Sequence, residues 1–399
     1  MSSSNQPNRL FGLARKELII VGLGVVFVCA GIVVAALLVS RLAPTVITAI
    51  NQPTYTPEAT RRPPTATPLP TATSLPTFTP TPTPTATPEP GQDRGHPLPP
   101  DAIMQAGDWQ VQLLESKRGA EAAQLIHDAN QFNPPAPDGR EYLLIKVRAK
   151  SLHTDGQLHY VSGGDFKLTG DRLTRYLPAG LVPPDPQLQA GLLPGGEIEG
   201  WIVYEIGRGE AQLLVEFDLL GSGQDRPVFI ALQPDTVLAV DPRLSQMAPT
   251  DLGRTPQQPA ALGETVIATD WQLTVLEVIR GDRAYELAQA ANQFNDPPAQ
   301  GMEYLAVRAR VKNLNPKDQV VMIGSGSFKA LGDRNVLYGA PAIVDPEPAL
   351  QAYLYPGGEV EGWVILQIGQ GEGGAQIVFD PLFDRGQINR RYIALPEQP

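Results

Sequence analysis

Two copies of one hydrophobic pattern dominate the C-terminal three quarters of the chain. In 303–312, Leu305, Val307, Ala309 and Val311 alternate with Arg308, Arg310 and Lys312. Leu143, Ile145, Val147 and Ala149 do the same 162 residues earlier. Period two is the signature of a half-buried strand. Trp109, Val111 and Leu113, and again Trp271, Leu273 and Val275, give a second strand of that kind. The segments 197–206 and 359–368 are apolar on both faces, with Trp201 and Val203 opposed to Ile198, Ile202 and Ile206, so they are expected at the centre of a sheet. Each follows Pro-Gly-Gly, a turn signal.

One segment per copy departs from period two. Ala122, Leu125, Ala129 and Phe132, matched by Ala284, Leu287, Ala291 and Phe294, are spaced 3, 4 and 3. This predicts a short helix over 119–132 and 281–294, docked by a narrow stripe and ended by Pro134-Pro135 and Pro297-Pro298. Asn130-Gln131 and Asn292-Gln293 near its end cap backbone carbonyls or recognise a ligand, and capping is the favoured reading.

Shifting the chain by 162 residues makes about 50 of the 112 positions in 107–218 identical to 269–380 without a gap. That is a tandem duplication. The two units, 101–241 and 262–399, are joined by a Pro-containing linker at 242–261. Many short strands with turn signals every few residues point to a mainly β protein built as two immunoglobulin-like sandwiches, each with a short helix.

The N-terminal part is different. Leu18 to Val39 is an uncharged apolar run of 22 residues, about 33 Å as a helix, enough to cross a bilayer. The run is too long for a signal peptide, and Val28 before Cys29 does not match a lipoprotein signal. Arg9, Arg15 and Lys16 precede the run and only Arg41 closely follows it, which places a cytoplasmic tail at 1–17 and the C-terminal units outside the cell. The expected layout is therefore a single-pass helix at 18–40 followed by a Thr/Pro-rich stalk at 41–100. From 44 to 100 there are 16 prolines and 15 threonines, too few apolar residues to offset ordering entropy, hence a semi-rigid polyproline-II spacer.

A net charge of −11 over 399 residues argues against wrapping nucleic acid. The one cysteine, Cys29, rules out an intrachain disulfide, a cysteine zinc cluster and Cys-His catalysis outside the membrane. Only four histidines are present, His96, His127, His153 and His159, none of them in the second copy. A cluster of His153, His159 and Asp155 is weak as a metal site, because the second copy has Asn315, Val321 and Lys317 there. The duplicated acids Glu197 and Glu199, with Glu359 and Glu361, project from one strand face. Joined by Asp171 or Asp333 they could begin a calcium site, and as a pair they could serve a glycosidase. A solvated strand start is the favoured reading. The glycines at 207–209 and 369–371 read as hairpin turns, and the four tryptophans as core rather than sugar platforms. No residue is assigned as catalytic, cofactor-binding or metal-binding, and no cofactor is expected.

The order W-x-[VL]-x-[VL], NQFN-x-P, G-x-EYL, K-x-L, F-K, GDR, PGGE-x-EGW resembles a bacterial family of unknown function, extracellular immunoglobulin-like modules similar to the mycobacterial immunoprotective extracellular antigen. The resemblance covers both copies, and it implies a secreted or membrane-tethered β-sandwich without an established activity. The expectation is a cell-membrane protein acting as a surface interaction module toward an extracellular protein or envelope polymer. The alternatives are a cell-envelope hydrolase using the duplicated carboxylates and a ligand- or calcium-binding sensor.

Overall fold

The structure is a computed structural model that describes residues 89–218, 227–382, 384 and 386–396. The expected spanning segment 18–40 and the stalk as far as residue 88 lie outside the described residues. Among the described residues no helix is long and apolar enough to cross a membrane.

The first copy comprises β1 (Ile103–Ala106), β2 (Trp109–Arg118), helix α1 (Ala120–Ala129), β3 (Arg140–Ser151), β4 (His159–Ser162), β5 (Phe166–Thr169), β6 (Gln189–Leu192), β7 (Glu197–Gly207), β8 (Leu214–Phe217) and β9 (Val228–Ala231). Strands β1-β2-β3-β7 form one sheet, β5-β8-β9 a second, and β4-β6 a two-stranded ribbon. The second copy repeats this with β10 (Ala260–Ala261), β11 (Thr265–Ile267), β12 (Trp271–Arg280), α2 (Asp282–Ala291), β13 (Met302–Asn313), β14 (Val321–Ile323), β15 (Phe328–Leu331), β16 (Leu337–Gly339), β17 (Ala352–Leu354), β18 (Glu359–Gly369), β19 (Gln376–Phe379) and β20 (Arg391–Ala394). Its sheets are β11-β12-β13-β18 and β10-β20-β19-β15-β16, with β14-β17 as the ribbon.

Alternation decides the layers. Val147, Ile202 and Ile206 point from the four-stranded sheet into a core shared with Phe166, Phe217 and Ile230 of the opposite sheet. Val307, Val364, Phe328, Phe379 and Ile393 do the same in the second copy. Each copy is thus a β-sandwich. On the outer face of the larger sheet, Leu144 and Val203 meet Ala122 and Ile126 of α1, and Ala306 and Ile365 meet Ala284 and Ala288 of α2. This explains why β7 and β18 are apolar on both faces: one faces the core and the other carries the helix. Trp109 and Trp271 are buried in the two cores, and Trp201 and Trp363 flank the helices.

Two glycines show why the repeated turns resist change. Gly119 and Gly281, at the strand-to-helix corner, hold φ of 63° and 73°, which a side chain disfavours. Gly200 and Gly362 lie where the chain before the strand crosses it; a Cβ at Gly200 would be 2.2 Å from the Leu188 nitrogen. That crossing is backbone on backbone and cannot yield.

The sheets reach beyond the expected boundaries. Leu98, on the stalk side of residue 101, bridges Ile230 in parallel, and Gly91 and Leu98 exchange backbone hydrogen bonds with β9. Ala260 and Ala261, within the expected linker, pair in parallel with Ile393 and Ala394. The two are equivalent positions, since 98 and 260 differ by the repeat length. Short apolar entry segments of this kind close a sheet edge, and the prolines around them masked the signal.

The two sandwiches are in direct contact. Backbone of the first copy, Leu173 to Arg175, runs antiparallel to the free edge of β17: the Arg175 N–H donates to the Tyr353 carbonyl at 2.8 Å, and the Tyr355 N–H to the Leu173 carbonyl at 2.8 Å. Arg94, fully buried, donates to Asp318 at 2.9 and 2.6 Å and lies 4.0 Å above the Tyr355 ring. The Tyr355 hydroxyl donates to Glu216 at 2.8 Å, and Glu216 also takes two hydrogen bonds from Arg175. A buried charge needs such partners to be tolerated.

Candidate functional site

The identical NQFN segment after each helix is the most unusual surface feature. The helix ends at Ala129, because Asn130 turns extended at φ −157°, and its side-chain oxygen accepts from the Phe132 N–H at 3.1 Å. Asn133 then supplies the cap. Its amide donates to the Ile126 carbonyl and the Val182 carbonyl, both at 2.9 Å, and accepts from the Val182 N–H at 3.1 Å. Tyr142 donates to the Pro134 carbonyl at 2.9 Å. In the second copy Asn295 makes the same bonds to Ala288 and Val344, and Tyr304 donates to the Asp296 carbonyl. With the flanking asparagines so fixed, the ring between them turns outward: Phe132 is 83% exposed and Phe294 81%.

This corrects two expectations. Phe132 and Phe294 do not extend the helical stripe, whose buried residues are Ala122 with Ile126 and Ala284 with Ala288, spaced four apart. Capping falls on Asn133 and Asn295 rather than on Asn130-Gln131 and Asn292-Gln293. The amide at the last position reaches both the helix end and a neighbouring loop, satisfying buried polar groups that the earlier pair, half-buried or exposed, does not.

Beside the first loop lies a cavity of about 300 Å³, lined mainly by Ala123, Ile126, His127, Pro134, Pro135 and Tyr142. Burial pushes the Tyr142 phenol up, so it stays a neutral donor. In the second copy Tyr285 replaces Ala123 and its ring packs 6.2 Å from that of Tyr304, the counterpart of Tyr142. The scaffold is one; the lining next to it differs, with Tyr285, Ala288, Gln289 and Asp296 where the first copy has Ala123, Ile126, His127 and Pro134.

The acids singled out from the sequence are ion-paired. Glu199 takes Arg148 at 2.5 Å and Lys146 at 3.3 Å, and Glu361 takes Arg308 and Arg310, both at 2.6 Å. These cations hold both carboxyls below their usual range, the reverse of what a general acid requires. Glu197 and Glu359 lie farther from the same arginines, 3.3 and 3.7 Å. Asp171 and Asp333 are elsewhere, each accepting a backbone N–H of a hairpin, from Ala211 and Gly373. His153 and His159 are stacked with ring centres 3.4 Å apart and planes 12° from parallel, His159 bonded to Asp155 and His153 to Ser151. Parallel rings aim their nitrogens side by side rather than at one ion. Among the described residues no group of three or more histidine or acidic side chains is placed to hold a metal.

The sequence reading missed a second duplicated acid. Glu210 and Glu372 are buried beneath the 207–209 and 369–371 hairpins and accept from Tyr176 and Tyr338. Burial raises the Glu210 carboxyl. The signal was present as the identical run Ile-Gly-x-Gly-Glu, but a glutamate beside a turn reads as exposed.

No protein-family model matches the chain, and no curated protein matches it. Among solved structures the chain is similar to a candidate lipoprotein, ycdA, of Bacillus subtilis (13% identity, 33% of this chain, 38% of that one, TM-score 0.26). It is similar too to the yjhA protein of Bacillus subtilis (12% identity, 34% and 98%, TM-score 0.24). A third is an uncharacterised β-sandwich protein of Clostridium difficile (13% identity, 34% and 91%, TM-score 0.22). At such scores the likeness adds nothing to the strand pairing itself, which defines a mainly β protein of several sheets.

Proposed function

We propose that the chain is a single-pass membrane protein whose two immunoglobulin-like sandwiches stand outside the cell and contact an extracellular protein through their paired NQFN loops. The uncharged run at 18–39 and the Thr/Pro-rich segment support the anchor and the spacing. The carrying observation is the pair of phenylalanines, 83% and 81% exposed, each held outward by an asparagine cap. A large apolar ring kept in water on a fixed loop costs solvation and gives nothing to folding, whereas aromatic side chains are favoured anchors in interfaces. Two copies on one chain bind a repeated target with avidity, which gains about 10²- to 10⁴-fold when both engage.

The test places the full chain in lipid vesicles and measures vesicle capture by cell-envelope preparations. Phe132→Ser or Phe294→Ser alone should weaken capture, and the double variant should abolish it. Protease treatment of the envelope should do the same. Capture that survives both phenylalanine changes overturns the loop reading, and capture that survives protease makes the partner a polymer.

A further inference from the structure

The junction between the two sandwiches uses surfaces that the duplication leaves open once at each end of the pair. Inside the chain, the loop Leu173-Thr174-Arg175 of the first copy adds to the edge of the β17 ribbon in the second. The equivalent loop of the second copy is Asn335-Val336-Leu337, and the equivalent ribbon edge of the first is β6, at Gly191 and Leu193. Neither has a partner: β16 is the terminal strand of its sheet, and β6 pairs only with β4 among the described residues.

Backbone shape is preserved in the open loop. Leu173 and Asn335 both take left-handed φ, 58° and 55°, so the carbonyl that accepts in the junction has the same aim in both copies. The ribbons match in register as well, Tyr160 opposite Gly191 as Met322 is opposite Tyr353.

Side chains change together. The ion pair of the junction, Arg94 with Asp318, is matched at the open faces by Pro256 and Gly156. Arg175 and Glu216 become Leu337 and Val378, and Tyr355 becomes Leu193. The open faces carry apolar groups instead: Leu158 is 48% exposed, Tyr160 71% and Leu193 57% on the ribbon, with Val336 45% and Leu337 43% on the loop. The pair that spans the junction, Arg94 with Asp318, is lost from both sides, and Arg175 and Glu216, a pair within the loop side, are lost together, so their removal leaves no ion unpaired on either face. These open faces do not suit the charged faces of the internal junction.

The geometry points to head-to-tail self-association, in which the Asn335–Leu337 loop of one chain adds to the β6 edge of a second copy and repeats the internal junction between chains. Strand addition supplies backbone hydrogen bonds, and the apolar side chains supply burial. The contact is heterologous, so it continues from chain to chain unless a rotation closes it into a ring. It is independent of the loop partner proposed above.

The test uses the full chain in detergent micelles, followed by sedimentation from about 1 to about 100 μM, the range in which contacts of micromolar strength populate. The protein mass should rise with concentration past the dimer. Leu193→Asp, which blocks the ribbon, and Val336→Asp, which blocks the loop, should each stop growth at one chain. Both positions are solvent-exposed, and an unchanged melting temperature verifies that the fold is kept. Mixing the two variants should give a one-to-one pair and nothing larger, since each retains one working face. A wild-type mass that does not vary with concentration overturns the proposal. So do variants that associate as wild type does, which would assign association to the N-terminal segment. Variants that are single chains yet form no pair when mixed also overturn it, since the contact would then join like faces.

Discussion

The two copies differ least where the backbone is most constrained and most where they meet one another. Gly119 and Gly281, Gly200 and Gly362, and Asn133 and Asn295 are identical and perform the same task twice. Arg94, Glu216, Asp318 and Tyr355 have counterparts of a different chemical kind, Pro256, Val378, Gly156 and Leu193. Duplication supplied two scaffolds; divergence then made their facing surfaces complementary, while the exposed NQFN phenylalanines and the Glu197 and Glu359 strand starts stay alike.

The strongest way to break this equivalence is at the crossing glycines. Gly200→Ala puts a Cβ at 2.2 Å from the Leu188 nitrogen, and Gly362→Ala at 2.5 Å from the Leu350 nitrogen. No flexible atom is available to move aside, so each change should cost about 3 kcal/mol or more, beyond the usual penalty for overpacking. Denaturant unfolding monitored separately at Trp109 and Trp271 should show the loss first in the copy that carries the change. Equal tolerance of alanine at both sites would mean that the crossing is not the reason for the glycine.

Next in size is the junction. Arg94→Ala removes a fully buried guanidinium and leaves Asp318, which is 28% accessible, without its partner. Breaking a buried ion pair costs about 3–5 kcal/mol, and the solvent access of Asp318 puts this one near the lower figure. The two sandwiches should then melt in separate calorimetric transitions rather than together. Pro256→Ala at the equivalent position of the second copy should change neither transition.

Much of the sandwich was legible because burial imposes strict periods. The alternation in 303–312 and the two-sided run at 197–206 both correspond to strands, and the second was two-sided because a helix covers its outer face. The loop was misread because Phe132 continues the helical spacing of Ala122, Leu125 and Ala129. Asn130 has already left the helix, a matter of φ that spacing alone does not register. The junction was missed because comparing copies for identity discards the positions where they differ. Arg94 opposite Pro256 and Asp318 opposite Gly156 carry the information as differences, and they signify contact only once the fold brings Arg94 to Asp318.

The smallest effect sharpens the comparison through pH. Asp345 has Pro183 as its counterpart, and its side chain accepts the Ile365 N–H of β18 at 2.7 Å, next to Val344, which Asn295 holds. Burial raises its carboxyl from the usual 3.8 to about 6, although that backbone bond opposes the rise. A carboxyl raised on folding favours the protonated native state. Its contribution is therefore fully present below pH 3.8, falls as pH rises toward 6, and is absent above that. A shift of this size corresponds to about 3 kcal/mol, reduced to about 2 kcal/mol because the group is only partly shielded from water. Asp345→Asn keeps an oxygen for Ile365 and removes the charge. It should stabilise the second copy by about 2 kcal/mol at pH 7, leave stability at pH 3.5 nearly unchanged, and flatten the slope between them. The first copy, with proline there, should keep its own pH dependence, to which the buried Glu210 carboxyl contributes, unchanged by Asp345→Asn. Thermal unfolding across that pH range reads both copies at once, and a second-copy slope that survives the asparagine places the titrating group elsewhere.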